Sequence, residues 1–146
     1  MKKALLFAVA LACSTLAGTA YAKDDHLQMP IQEALDSSEA KDKLDGSVKF
    51  FFGKQTYPSP KQRYGSFTAN KKTNFTGKSS NEGCQRAFLS AMISLQERAQ
   101  KEGGNAVVGI KSVYKKDEMD SETEYMCGAG TFMGGVALRG EVVKLP

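Results

Sequence analysis

Histidine is almost absent from this chain of 146 residues: His26 is the only one, and tryptophan does not occur. A Ser/His/Asp or Cys/His catalytic set needs a histidine beside its nucleophile, and one histidine near the beginning of the chain cannot supply it. The same shortage leaves no cluster of zinc-type ligands. We therefore expect no enzyme, no catalytic residue, no metal and no cofactor. We expect His26 to be a solvated residue of an N-terminal tail.

Long apolar runs are also absent, apart from one near the beginning of the chain. Residues 1–22 carry Lys2 and Lys3, then a short apolar run, then Ala-Tyr-Ala ending at Ala22, which is the pattern of a secretory signal peptide. The run is too short to span a bilayer, and no later run is longer. We predict cleavage after Ala22 and a periplasmic mature protein. Lipid attachment at Cys13 is the alternative, but the residue three positions before it is alanine, where leucine is usual.

Acidic residues are missing between Gly46 and Asn81, although the whole chain has 20 basic and 16 acidic residues. Aromatic residues are interleaved with lysines in this stretch, and such a mixture can bind an anionic polymer through charge and stacking. For an exported protein we expect an envelope protein or an anionic envelope polymer as the partner, and we do not expect nucleic acid. The alternative is that the aromatic residues belong to the core and the lysines are solvated edge residues. The candidate surface consists of Lys54, Lys61, Arg63, Lys71, Lys72 and Lys78.

Cysteine is scarce as well, since only Cys84 and Cys127 remain once the leader is removed. In an oxidising compartment two lone cysteines usually pair. The bridge would tie the first turn of a helix to a late strand and stabilise the fold by about 3–4 kcal/mol. The alternative is a reactive thiolate at Cys84, because a helix N-terminus lowers the pKa of a thiol.

Residues 84–114 contain the clearest structural pattern of the chain. Apolar residues recur there at helical spacing, and Ser79 with Glu82 has the form of an N-terminal capping box. Gly103 and Gly104 provide the left-handed turn that ends a helix. The short apolar run of 106–110 follows directly and predicts a buried strand packed against the helix.

The remaining stretches complete a prediction of one α+β domain. We predict one or two short helical turns within 23–46, then a domain over 47–146 with a strand at 48–52, a weaker returning strand over 64–73, the long helix, and two or three further strands. The last 20 residues are rich in glycine, which lets a strand bend and lets other groups approach closely. The predicted fold is one long helix packed on a small, mostly antiparallel sheet, in the order α-β-β-α-β-β.

This arrangement resembles known bacterial domains. The helix, the segment Gly103-Gly104-Asn105-Ala106-Val107-Val108-Gly109-Ile110 and the glycine-rich strand at 133–138 resemble YbjQ-like domains. They are also similar to the periplasmic domain of the lipoprotein that senses envelope stress for the Rcs phosphorelay. That resemblance implies a disulfide from a cysteine before the helix to one in the last strand, for which Cys84 and Cys127 are the candidates, and it implies a binding or envelope-sensing role.

The whole chain resembles a group of small exported proteobacterial proteins labelled excinuclease ATPase subunit, which implies nucleotide-dependent DNA repair. A P-loop needs Gly-x4-Gly-Lys-Ser/Thr. Gly77-Lys78-Ser79-Ser80 matches its second half, but the first glycine would fall at Lys72. Helix capping by Ser79 accounts for the same residues. We therefore expect a non-enzymatic exported binding or sensing module, with the nucleotide-dependent component as the alternative and with the oligomeric state left open.

Overall fold

One long helix lies on a six-stranded sheet in the computed structural model, which describes residues 25–146. The signal peptide, its cleavage site after Ala22, and Cys13 lie outside the described residues. The α+β class that the sequence predicts is confirmed. In chain order the elements are β1 Asp25–Pro30, α1 Ile31–Leu35, α2 Ser38–Lys43, β2 Lys49–Phe52, β3 Gln62–Asn74, α3 Ser80–Glu102, β4 Ala106–Ser112, β5 Glu124–Ala129 and β6 Met133–Lys144.

Helix α3 begins and ends where the sequence predicts. The Ser79 hydroxyl accepts a hydrogen bond from the Glu82 N–H, and the Glu82 carboxylate accepts one from the Ser79 N–H, both at 3.2 Å. This capping box satisfies two N–H groups that have no partner within the helix. The helix ends at Gly103, whose φ of 85° lies in the left-handed region that favours glycine. Its buried side includes Ala87, Phe88, Ala91, Met92, Leu95 and Ala99.

Strand β6 is at the centre of the sheet. β3 pairs with one side of it in antiparallel register, from Gln62 opposite Lys144 to Asn74 opposite Met133. The other side of β6 pairs with β5 at one end and with β4 along the rest. β1 lies outside β5, and β2 lies outside β4 in parallel register. The mostly antiparallel sheet of the prediction is confirmed, and within residues 25–146 β3 has a strand neighbour on one side alone.

Two details of the predicted order are wrong. Strand β1 precedes the first helix, whereas the prediction began with a helix. Its apolar pattern consists of Leu27 and Met29 alone, which is too short to indicate a strand, and its pairing with β5 makes it one. The strand predicted over 64–73 exists as β3, but it does not return beside β2, because β6 pairs with it instead.

The first half of α3 is fixed to β5. The predicted disulfide joins Cys84 to Cys127 with their Cα atoms 5.8 Å apart, and both residues are fully buried. This finding overturns the reactive-thiolate alternative. One turn further along the helix, the ring of Phe88 stacks on that of Tyr125 at a centroid distance of 4.2 Å. Stacked aromatic pairs of this kind stabilise a core beyond the area that they bury.

The close approach expected at the glycine-rich strand is made by an aromatic ring. A Cβ at Gly134 in β6, or at Gly83 in the first turn of α3, would overlap the ring of Phe75. Phe75 is itself 5% exposed. The two glycines therefore let the loop between β3 and α3 place a phenyl ring between the helix and the sheet.

Candidate functional site

Five of the six predicted cationic residues follow the course of β3, and one lies elsewhere. Lys61 and Arg63 are at the beginning of the strand, Lys71 and Lys72 are near its end, and Lys78 is in the loop to α3. A strand of 13 residues is about 40 Å long, so the two groups stand far apart. Lys54 follows β2, which is separated from β3 by β4 and β6. The predicted surface is therefore a strip along β3 without Lys54.

At the beginning of β3, Arg63 has an acidic partner, whereas Lys61 forms no ion pair with residues 25–146. Arg63 donates to the Glu141 carboxylate on β6 at 3.0 Å, and this hydrogen bond raises the pKa of the guanidinium. Nearby, Lys111 and Arg139 both pair with Glu118, and the hydrogen bond from Lys111 lowers the pKa of that carboxyl. An anionic partner would have to compete with these internal carboxylates.

The end of β3 differs, because its lysines have no acidic neighbour of this kind. Among residues 25–146, neither Lys71 nor Lys72 forms an ion pair. They line a shallow hollow against α3, together with Ser90, Ser94 and Glu97. Lys72 is exposed, and Lys71 is partly buried beside the helix. Both lysines thus lie beside the space between the strand and the helix, where solvent reaches them.

Helix α3 adds two cations that the sequence analysis did not include. A neighbouring hollow of about 300 Å³ is lined by Phe67 and Ala69 from β3 and by Leu95, Arg98 and Lys101 from α3. The Arg98 guanidinium lies 4.0 Å from the centroid of the Phe67 ring, and its Nε is 3.0 Å from a Glu102 carboxylate oxygen. The sequence window that defined the basic stretch ended before α3. The helical spacing of Arg98 and Lys101 could have shown that the two residues lie on one face of α3. It could not have shown that this face lies beside β3.

The aromatic residues of the basic stretch are mostly committed to the core. Phe52 and Phe75 are 5% exposed, and the other aromatic side chains of the stretch are partly buried against apolar residues of the core. Among them, the Phe67 ring already has the Arg98 guanidinium over one face. This placement agrees with the alternative in which the aromatic residues are core, and it leaves charge, rather than stacking, as the property of the strip.

The loop that matches half of a P-loop has its backbone donors engaged. The N–H groups of Thr76, Lys78 and Ser79 each donate to an acceptor within the loop or the first helical turn, at 2.7–3.2 Å. The Lys78 ammonium donates to the Asn74 carbonyl at 3.2 Å. A P-loop holds phosphate with free N–H groups and a free lysine, whereas here these three N–H groups and the lysine already have acceptors within the chain.

His26 does not lie in a solvated tail as expected, because it belongs to β1. Its Nδ1 is 2.8 Å from an Asp117 carboxylate oxygen, and its ring meets Tyr114 edge to face at 5.4 Å. In the part of the chain that the structure describes, no three His, Cys, Asp or Glu side chains are grouped so that they could hold a metal ion. No helix there is long and apolar enough to cross a bilayer.

Comparison with known proteins adds no relative. No family model matches the chain, and neither a curated protein nor a solved structure matches it. The resemblances stated from the sequence therefore stay predictions.

Proposed function

We propose that this protein is an exported, non-enzymatic binding module that holds an anionic envelope component against the end of β3 and the second half of α3. The observation that carries the proposal is a pair of adjacent cations, Lys71 and Lys72, beside a hollow at the end of β3. Arg63 has an internal carboxylate partner, whereas Lys71 and Lys72 have none within residues 25–146. Cations that have no ion pair within the described residues attract an anionic group, and the carboxylate that would compete at this hollow is that of Glu97.

The second half of α3 strengthens this charge. Arg98 and Lys101 line the hollow beside Phe67, and Lys71 and Lys72 line the adjoining one. Glu97 touches both hollows and Glu102 pairs with Arg98, so the four cations exceed the two carboxylates. The net charge of the region favours an anionic partner.

Charge reversal tests the proposal. We expect the double variant Lys71→Glu and Lys72→Glu to lose about tenfold in affinity for immobilised polyglutamate or purified lipopolysaccharide at low salt. The binding of the unaltered protein should weaken steeply as salt is raised, because exposed charges are screened. Surface plasmon resonance at several salt concentrations measures both effects.

A matched control is available on β2. The double variant Lys49→Glu and Lys54→Glu makes the same change in net charge on the side of the sheet away from β3. We expect it to keep most of the affinity. Equal losses in the two double variants would show that binding follows net charge alone, and salt-insensitive binding would remove the charged surface altogether.

Export is tested separately. N-terminal sequencing of protein from the periplasmic fraction should give Lys23 as the first residue, because cleavage is predicted after Ala22. Precursor that stays intact in the cytoplasm with both cysteines reduced would contradict the proposal, since the disulfide needs an oxidising compartment.

A further inference from the structure

The outer side of β3 carries backbone hydrogen-bonding groups that its own sheet does not use. Residues of an antiparallel pair alternate between those that exchange hydrogen bonds and those whose N–H and C=O point outward. The Ala137 carbonyl accepts from the Val113 N–H at 2.9 Å, so it is turned away from β3. Its partner Asn70 is therefore in a pair without hydrogen bonds, and its own N–H and C=O point outward.

The same alternation extends to both sides of Asn70. The Met133 carbonyl also points away from β3, because it accepts from the Gly130 N–H at 2.8 Å. Asn74 lies opposite Met133, and its carbonyl accepts from the Lys78 side chain rather than from β6. With a period of two residues, the outward groups of β3 belong to Thr68, Asn70 and Lys72. Within residues 25–146 no strand pairs with them.

These outward groups lie beside the two hollows described above. A strand added at this edge would direct every second side chain toward α3, where Lys71, Arg98 and Lys101 supply positive charge. Its other side chains would lie on the opposite face of the sheet, beside those of Thr68 and Asn70. Edge strands that bind peptides take affinity from the backbone and selectivity from such alternate positions.

The charge of the edge decides which kind of strand fits. In a pairing of two β3 edges centred on Lys71 or Lys72, a second copy of this chain would bring like charges directly opposite each other, which is destabilising. An acidic strand would pair with the same cations. Resting on the proposed function, we infer that the anionic partner is an extended acidic peptide segment that adds a strand to β3 at Thr68, Asn70 and Lys72.

One substitution separates this mode from simple charge attraction. Asn70→Pro removes an outward N–H and fills its place with the proline ring, and it leaves the ladder to β6 intact because edge strands accept proline where the N–H faces outward. Asn70→Ala is the matched control, since it removes the same side chain and keeps the N–H. The probe is a fluorescein-labelled ten-residue peptide of alternating threonine and glutamate, and binding is measured by fluorescence anisotropy.

We expect Asn70→Pro to weaken binding of the probe by about tenfold and Asn70→Ala to change it little. Thermal unfolding followed by circular dichroism should give the same midpoint for both variants, which shows that the strand is intact. A variant of the probe in which two central threonines are replaced by proline keeps the same charge and should bind less well than the alternating probe.

Three results would overturn strand addition. If Asn70→Pro and Asn70→Ala bind the probe equally, the backbone edge is not used, and the proposed anionic surface still stands provided that Lys71→Glu with Lys72→Glu weakens binding. If sedimentation shows that the protein dimerises and that Asn70→Pro abolishes the dimer, the occupant is a second copy. If the alternating peptide does not bind while lipopolysaccharide does, the partner is not a peptide.

Discussion

The two halves of α3 face different parts of the same sheet. Both bury apolar side chains, among them Met92 and Leu95 in the second half, and the halves differ in what lies beside those side chains. In the first half, Cys84 is bonded to β5 and Phe88 stacks on Tyr125, all of them at most 1% exposed. In the second half, Arg98 covers the half-buried Phe67 of β3 and an open hollow lies between helix and strand. One helix thus has a closed contact at its beginning and an open one at its end.

This difference separates stability from binding along one element. Substitutions on the β5 side should lower the free energy of unfolding strongly, because they remove buried apolar contacts or a covalent link. The exposed cations on the β3 side, and its backbone groups that pair with no strand of residues 25–146, contribute little to that free energy. We therefore expect that the residues proposed to bind can be altered there without unfolding the protein.

Removal of the Phe88 ring should have the largest effect. Phe88→Ala leaves a cavity beneath Tyr125, and such truncations cost about 3–5 kcal/mol of the free energy of unfolding. Phe67→Ala is the control on the open side, and we expect less than half of that loss because the ring is partly exposed. Urea denaturation measures both. Equal losses would mean that the two halves of the helix are packed alike.

Loss of the disulfide should come next. The bridge closes a loop with a sequence separation of 43, so the double variant Cys84→Ala and Cys127→Ala should lose about 3–4 kcal/mol. Reduction of the unaltered protein with dithiothreitol is the independent check and should give a similar loss. An unchanged denaturation midpoint after full reduction would show that the closed contact does not depend on the bond.

Tyr125→Phe tests the one unsatisfied group in the closed contact. Within the described residues the Tyr125 hydroxyl is buried without a hydrogen-bond partner, and burial raises the pKa of the phenol above its ordinary 10.0. Replacement by phenylalanine removes this cost, so we expect unchanged stability or a gain of about 1 kcal/mol near neutral pH.

The pH dependence of the same variant has a definite sign. Because the folded state disfavours the tyrosinate, the unfolded chain loses its proton first, and the unaltered protein should lose stability as the pH rises above about 10. Tyr125→Phe has no such proton to lose, so its advantage should grow in that range. Urea midpoints at pH 9 and above check this, and a constant difference would contradict the burial of the hydroxyl.

Both ends of α3 and its disulfide were predictable from the sequence, and the strand beside its second half was not. Ser79 with Glu82 and Gly103 marked both ends of α3 because caps are local signals. The partner of β3 is set by residues far along the chain, such as Arg63 opposite Val143, and no local pattern specifies it. The sequence therefore grouped Lys54 with the strip on proximity in the chain and left out Arg98 and Lys101, which the packing of α3 on β3 brings there.

The smallest effect on stability is expected where the effect on binding is largest. The double variant Lys71→Ala and Lys72→Ala removes no ion pair with any residue from 25 to 146, so the free energy of unfolding should stay within about 0.5 kcal/mol. Val136 is the matched control, since it lies directly opposite Lys71 on β6 and is fully buried, and Val136→Ala should cost about 2 kcal/mol. The affinity for polyglutamate should show the opposite pattern. It should fall in the lysine variant and stay unchanged in Val136→Ala as long as that variant is folded. If the lysine variant were as unstable as Val136→Ala, the end of β3 would be part of the scaffold, and the division of α3 into a closed contact for stability and an open contact for binding would be wrong.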